Sequence, residues 1–257
     1  MSAYSVAIVG AGAVGRGMQT LFPDAVMYDE PLGIGTRDEV NACRFAFVCV
    51  PTSAAEDGSC DTSIVEDVVA WLACETIVLR STVTPGTTKR LASSTGKRIV
   101  FQPEYGPGGT PGHPYADVRA IDWAILGGPR EWTVPVHDLY KRALPSSVTI
   151  QQTDATTAEL AKYMENAFLA TKVMFCNEFY DIAQALDVDY NELRELWLLD
   201  PRMGRSHTWV HPDDRGFGGK CLPKDLDALL RAAEAMGVTP EMLAAVASAN
   251  RRMRDEA

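Results

Sequence analysis

The chain has 257 residues, 46% of them apolar and 23% charged, with 24 basic against 34 acidic residues and a net charge of −10. This is an ordinary globular composition, long enough for one large domain or two modest ones. No dense Lys/Arg cluster offsets the acidic balance, which speaks against a nucleic-acid partner and against adhesion to anionic lipid. No apolar run approaches the roughly 18 residues that a bilayer crossing needs. The first residues lack a basic stretch leading into an apolar one, so a cytoplasmic location is expected. The cysteines at 43, 49, 60, 74, 176 and 221 have no close pair at metal-ligand spacing. His113, His137, His207 and His211 lack such spacing too, so neither a metal site nor a disulfide framework is expected.

In chain order, the first 150 residues alternate β-rich and helical runs. Strands are predicted at Ser5–Val9, Ala25–Tyr28, Phe45–Val50, Thr76–Arg80, Arg98–Phe101 and Trp123–Leu126. Helical patterns fall at Val14–Leu21, Ile64–Leu72 and Thr87–Ser93. Such alternation implies βαβ units and an α/β domain over 1–150, with a doubly wound parallel sheet covered on both faces. The pattern changes near Gln151. From Thr156 to Leu186 there is neither proline nor glycine, and apolar residues recur at helical spacing, which reads as one long helix capped by Thr156 or Thr157. Shorter helices are predicted at Tyr190–Leu198, Leu222–Met236 and Pro240–Met253, giving an all-helical domain over 151–257 built on the long central helix. The loop Asp200–Lys220 is polar, glycine-rich and long, as functional loops often are. His211 lies in it as a candidate substrate contact.

Gly10-Ala11-Gly12-Ala13-Val14-Gly15 follows the first strand and opens the first helix. That context makes it a Rossmann-type dinucleotide fingerprint. Gly10 allows the tight turn, Gly12 admits a pyrophosphate to the backbone, and Gly15 permits close helix–strand packing. The phosphates would sit on the helix N-terminus. Asp29 ends the second strand, where a carboxylate accepts from an adenosine ribose and repels a 2′-phosphate; NAD is therefore expected over NADP. The alternative is a plain glycine turn with a surface aspartate. Val50-Pro51-Thr52-Ser53 and Ser81-Thr82-Val83 each follow a strand's carboxyl end, the ligand edge of open α/β sheets; ordinary turn chemistry is the alternative, stronger for Ser53 than for Thr82.

Cys221 follows Gly218-Gly219 and precedes a helix beginning near Pro223. A thiol at a helix N-terminus beside Lys220 favours its thiolate, and Asp225 shares the first helical turn. The structural alternative is an inert small residue with an aspartate that complements the helix dipole. Lys162 and Asn166, four apart on one face of the long helix, could stabilise an oxyanion. Equally, they could be a snorkelling lysine and an exposed asparagine. Glu104 lies in a loop after the strand ending at Phe101, where it is either functional or a surface carboxylate.

Together these residues resemble the UDP-glucose/GDP-mannose dehydrogenase family. Gly216-Phe217-Gly218-Gly219-Lys220-Cys221-Leu222-Pro223-Lys224-Asp225 looks like its catalytic cysteine motif. Ala158-Glu159-Leu160-Ala161-Lys162-Tyr163 with Asn166-Ala167-Phe168 is similar to its central-helix motif. Ser81-Thr82-Val83, Pro103-Glu104-Tyr105 and Asp200-Pro201-Arg202-Met203-Gly204 resemble three of its loops. The resemblance implies a four-electron oxidation of a primary alcohol to a carboxylate with two NAD⁺, through a thiohemiacetal and a thioester on the cysteine. It makes Cys221 the nucleophile and Lys162 and Asn166 the oxyanion donors. Asp225 and Thr82 would position water, and Glu104 would act as base in hydrolysis. Gly10, Gly12, Ala13, Val14, Gly15, Asp29, Val50, Pro51, Thr52 and Thr82 would bind NAD. Glu104, Tyr105, Lys162, Asn166, Arg202, Phe217 and Gly218 would meet the substrate, with Arg202 acting across a homodimer built on the central helices.

Two departures bear on the substrate. The family's third, C-terminal nucleotide-sugar-binding α/β domain is expected to be lacking, since the resemblance ends near Asn250–Met253. Gly108 also stands where the family usually has a glutamate. The expected substrate is therefore a nucleotide sugar, a sugar phosphate or a nucleotide. Two other readings are a two-electron dehydrogenase of the β-hydroxyacid type, which also pairs Lys and Asn, and a non-catalytic NAD-binding protein.

Overall fold

A computed structural model describes residues 5–106 and 117–255. Gly108 and His113 lie outside the described residues. The chain divides into two compact units, one running through Ala55 and then from Cys60 to Lys162, the other taking Glu56–Ser59 and Tyr163 onward.

The first unit begins with β1 (Val6–Val9), α1 (Ala13–Leu21), β2 (Val26–Tyr28), α2 (Arg37–Asn41) and β3 (Phe45–Val48). A two-stranded antiparallel hairpin, β4 (Ser53–Ala54) and β5 (Cys60–Asp61), comes next. Then follow α3 (Ser63–Trp71), β6 (Thr76–Leu79), α4 (Thr87–Thr95), β7 (Ile99–Phe101), β8 (Trp123–Gly127), α5 (Arg130–Ala143) and β9 (Thr149–Thr153). The main sheet runs β2-β1-β3-β6-β7-β8-β9. Its first five strands are parallel, and the chain order reverses between β1 and β3, the switch point at which doubly wound sheets bind ligands.

The sheet is not wholly parallel as expected. β8 pairs antiparallel with β7 and parallel with β9. The sequence between Phe101 and Trp123 has prolines at 103, 107, 111 and 114 and no helical period, a pattern unlike that of the crossover helices that usually join parallel neighbours. β9 also carries the sheet past residue 150.

Alternating strand residues feed two cores. Ala7, Val9, Ala46 and Val48 pack with Val65 and Val69 of α3 and Leu91 of α4 on one face. Val6, Ile8, Phe45 and Phe47 pack with Met18 and Leu21 of α1 and Val136 and Leu139 of α5 on the other. Apolar residues on both sides of each strand are what a sheet sandwiched by helices requires.

α6 (Ala155–Ala185) is the long helix expected from the sequence. It is followed in the second unit by α7 (Tyr190–Trp197), α8 (Leu222–Ala235) and α9 (Glu241–Asp255). Ala167, Ala170, Val173 and Met174 of α6 form a core with Phe217, Leu226 of α8 and Ala247 of α9. The long polar loop before α8 is ordered by side chains bonding its backbone. Lys172 donates to the carbonyls of Met203 and Gly204, both at 2.8 Å. Buried Asn177 accepts from Gly216 N–H at 3.1 Å and from Arg215 Nε at 2.7 Å. Asn250 accepts from Phe217 N–H at 2.7 Å and donates back to its carbonyl at 3.0 Å.

Candidate active site

In the first unit, Gly10–Gly15 forms the turn from β1 into α1. Gly10 has φ +101, and a Cβ there would lie 2.7 Å from the carbonyl oxygen of Cys49. A Cβ on Gly15 would overlap the carbonyl oxygen of Gly10, which explains why helix and strand approach so closely. Gly12 is different: a Cβ there meets nothing within 4 Å. It is the N-cap of α1, with no side-chain cap bonded to the helix amides. An open backbone at an uncapped helix N-terminus is a seat for a phosphate. Asp29 stands beside it at the end of β2, its carboxylate accepting from Ala11 N–H at 2.8 Å and Leu32 N–H at 3.1 Å. These residues fit a dinucleotide.

The loops after β3 and β6 are tied together. Ser81 Oγ donates to Val50 O at 2.6 Å and Thr52 Oγ1 to Thr82 O at 2.8 Å. Pro51 is exposed beside them. Cys49, deeply buried just before this loop, has its thiol pushed up to about 11 by desolvation.

Glu104 is not a surface carboxylate. It pairs with the guanidinium of Arg80, which is itself buried at the end of β6, and it accepts from Gly106 N–H. Arg80 also reaches Tyr140 Oη at 3.4 Å, and Tyr140 donates to Gln102 at 2.8 Å. Tyr105 stacks edge-on against Trp123, and its ring lies 4.7 Å beneath the ammonium of Lys162. Lys162 is thus a buried ammonium with an aromatic neighbour, not a snorkelling side chain.

In the second unit, Cys221 is the N-cap of α8, and its thiol is exposed. Asp225, one turn on, is buried; its amide donates to Cys221 O at 2.8 Å. Its carboxylate accepts from Asn166 Nδ2 at 2.6 Å and pairs with Lys224. Asn166 is therefore buried and oriented, and α6 carries it one turn beyond Lys162.

Phe217 and Arg202, both expected at the substrate, lie in opposite environments. The Phe217 ring is 4% exposed and belongs to the helical core. Its side chain is drawn in because the loop backbone on either side is held by Asn177 and Asn250. Arg202 is fully turned to solvent and paired with Asp200. Gly218 lies in the loop leading to Cys221, and His211 is exposed at a turn of the long loop.

Arg80, Glu159, Asn177 and Asn250 were not singled out from the sequence. An arginine ending an apolar strand run, and a glutamate on the inward face of α6, were the available signals.

Among the described residues, no group of three or more His, Cys, Asp or Glu side chains is arranged to hold a metal ion, and no helix is long and apolar enough to cross a membrane.

Comparison with known proteins agrees with this geometry. The family description "UDP-glucose/GDP-mannose dehydrogenase family, NAD binding domain" matches residues 25–144, and the same family's central domain matches 156–252. The UDP-glucose 6-dehydrogenase AglM of Haloferax volcanii is 30% identical over 237 residues, which covers 83% of this chain and 53% of that protein. A UDP-glucose dehydrogenase structure from Pyrobaculum islandicum superposes with a TM-score of 0.81 at 27% identity, covering 98% of this chain and 68% of that one. A Mycobacterium tuberculosis 3-hydroxyisobutyrate dehydrogenase structure shares the fold, with a TM-score of 0.71 at 16% identity, covering 97% of this chain and 93% of that one. The chain spans about half the length of the curated relatives it matches.

Proposed function

The chain belongs to the UDP-glucose/GDP-mannose dehydrogenase family and uses NAD as its cofactor, and from that premise we propose that it oxidises a primary alcohol to a carboxylate through covalent intermediates on Cys221. The substrate class is a nucleotide sugar, a sugar phosphate or a nucleotide, with UDP-glucose the first to try. NAD, when bound, supplies the hydride acceptor, two molecules for each alcohol. The observation that carries the proposal is Cys221 itself: an exposed thiol at a helix N-terminus, with buried Asp225 in the next turn bonded to Asn166.

Each residue has a part in this reading. Gly10, Gly12, Ala13, Val14 and Gly15 seat the pyrophosphate, and Asp29 takes the adenosine ribose. Cys221 Sγ bonds to the carbon of the intermediate aldehyde, and the thiol proton ends on the carbonyl oxygen. Oxidation of that thiohemiacetal leaves a thioester. Water then adds to the thioester carbon, the C–S bond breaks, and the carboxylate leaves as the thiol is restored. Holding the aldehyde covalently splits a hard oxidation into easier steps and prevents its escape. Lys162 and Asn166 donate to the oxyanions. Asp225 and Thr82 position the water, and Glu104, oriented by Arg80, accepts its proton.

A homodimer through α6 is part of the same proposal. Leu160, Met164, Phe168, Phe175, Phe179 and Ile182 are large apolar side chains exposed along that helix, a stripe of the kind that marks a protein–protein contact. Arg202, free of its own unit's core, is assigned to the partner's substrate. Six free thiols suit the reducing cytoplasm, where we place the reaction.

The test is NADH formation over a panel of nucleotide sugars, sugar phosphates and nucleotides, with Cys221→Ser alongside. The unaltered protein is expected to yield the acid and the variant to stop at the aldehyde. Full acid production by Cys221→Ser overturns the covalent step. A second reading, a two-electron oxidation, is favoured by the nearly full-length fold match to a 3-hydroxyisobutyrate dehydrogenase. Unchanged activity in Cys221→Ala would select it.

A further inference from the structure

α4 has no cap of its own. Its N-cap is Gly86, at φ +96 and without a side chain to offer. The amides there are taken instead by Glu159 of α6, whose carboxylate accepts from Gly86 N–H at 2.5 Å and Thr88 N–H at 2.8 Å. Glu159 is fully buried and belongs to no ion pair found among the described residues. Burial pushes its carboxyl up from the ordinary range, and the two amides pull the other way. An alanine or leucine would fill that position without desolvating a charge, so packing alone does not account for a carboxylate there.

What the carboxylate holds is the segment leading from β6 into α4. The same segment is held on its other side by the bonds from Ser81 to Val50 and from Thr52 to Thr82. Asp29, on β2, lies on one side of the β1/β3 switch; β6 lies on the other. A dinucleotide whose adenosine end meets Asp29 therefore directs its nicotinamide end toward the segment that Glu159 clamps. One helical turn beyond Glu159, on the same face of α6, stands Lys162.

We propose that Glu159 is a positioning residue for the nicotinamide side of the cofactor site, fixing the Thr82–Gly86 segment against α6 in register with Lys162. It touches neither cofactor nor substrate. The proposal requires only that the first unit binds NAD, so it stands or falls separately from the Cys221 chemistry.

The experiment is titration of the whole protein and of Glu159→Gln with NADH and with ADP-ribose, with circular dichroism as the check on folding. A glutamine can accept from one amide but turns its own N–H groups on the other. NADH is expected to bind about tenfold more weakly, within the usual range of coupling between sites, while ADP-ribose changes by less than about twofold. NADH affinity within about twofold of the unaltered protein overturns the proposal. So does parallel weakening of NADH and ADP-ribose, since a general loss of structure would move both. If Glu159→Gln fails to fold, Glu159→Asp, which keeps the charge but shortens the reach, decides by the same comparison.

Discussion

Two alanine substitutions in the glycine turn should fail in opposite ways. At Gly12 the backbone has φ −72 and ψ −168, which any residue adopts, and a Cβ meets nothing within 4 Å. Gly12→Ala should therefore fold with unchanged Tm. The added methyl would occupy the space over the uncapped N-terminus of α1, and NADH should bind at least tenfold more weakly, by analogy with other displaced phosphate contacts worth about 1.4 kcal/mol or more. At Gly10 the backbone has φ +101, and the Cβ would lie 2.7 Å from Cys49 O and 2.9 Å from its carbonyl carbon. Both neighbours are backbone and cannot rotate away. Left-handed strain of roughly 1–2 kcal/mol and overpacking of roughly 1–3 kcal/mol add to about 2–5 kcal/mol, a fall in Tm on the order of 10 °C. Thermal unfolding and NADH fluorescence titration on both variants are the assays. Gly12→Ala binding NADH normally would refute the phosphate seat, and Gly10→Ala with an unchanged Tm would refute the packing argument.

Further outcomes follow from individual contacts. Asn166→Ala removes the 2.6 Å bond to buried Asp225 and should lower stability by about 1.5–3 kcal/mol in urea unfolding, the worth of a bond to a charged group. The Thr76 hydroxyl is buried with no partner among the described residues, so Thr76→Val should be neutral or stabilising by up to about 1 kcal/mol. Phe168→Glu puts a charge on the exposed stripe of α6, and if the proposed dimer forms there, light scattering should give a dimer mass for the unaltered protein and a monomer mass for the variant. Burial pushes the Cys49 and Cys74 thiols up to about 11. At pH 8 about one part in a thousand of each is thiolate, and peptide mapping after iodoacetamide should show exposed Cys221 modified first. Glu159's carboxyl is raised by burial, so its favourable share of stability is complete below the unfolded value of about 4.3 and is lost as pH rises through the folded one. The stability of the unaltered protein relative to Glu159→Gln should fall as pH rises above that unfolded value; a constant or rising difference would contradict the desolvation.

The parts of the fold written in local pattern were legible. β1, the glycine turn and α1 are contiguous, and each announces the next. The 31-residue α6 contains no breaker and its span was predicted to within a residue at either end, but its cap is Asp154, which accepts from Thr157 N–H at 3.0 Å, and not Thr156 or Thr157, which lie inside the helix. α5 was missed because Pro135 interrupts an otherwise helical run. β9 was missed because Thr149, Gln151, Gln152 and Thr153 make a polar edge strand. At the site, Cys221 and Asp225 share one helical turn, and Lys162 and Asn166 share one helix, so sequence spacing could group each pair. It could not show that Glu104 is clasped by Arg80, 24 positions earlier, or that Glu159 caps a helix more than 70 positions away. Nor could it distinguish the Phe217 backbone, held by Asn250, from the Phe217 ring, which packs into the core. These contacts join distant segments, and a chain read alone records only neighbours.

The central claim is that Cys221 carries an alcohol carbon through two successive oxidations. The most direct measurement is the amount of NADH formed per molecule of limiting substrate, beginning with UDP-glucose and continuing with whichever sugar phosphate or nucleotide is turned over. The account predicts a ratio of about two, because the thiohemiacetal holds the carbon for the second oxidation and the thioester it becomes is hydrolysed to the acid. A ratio of about one, with free aldehyde or ketone as the product of the unaltered protein, would contradict it.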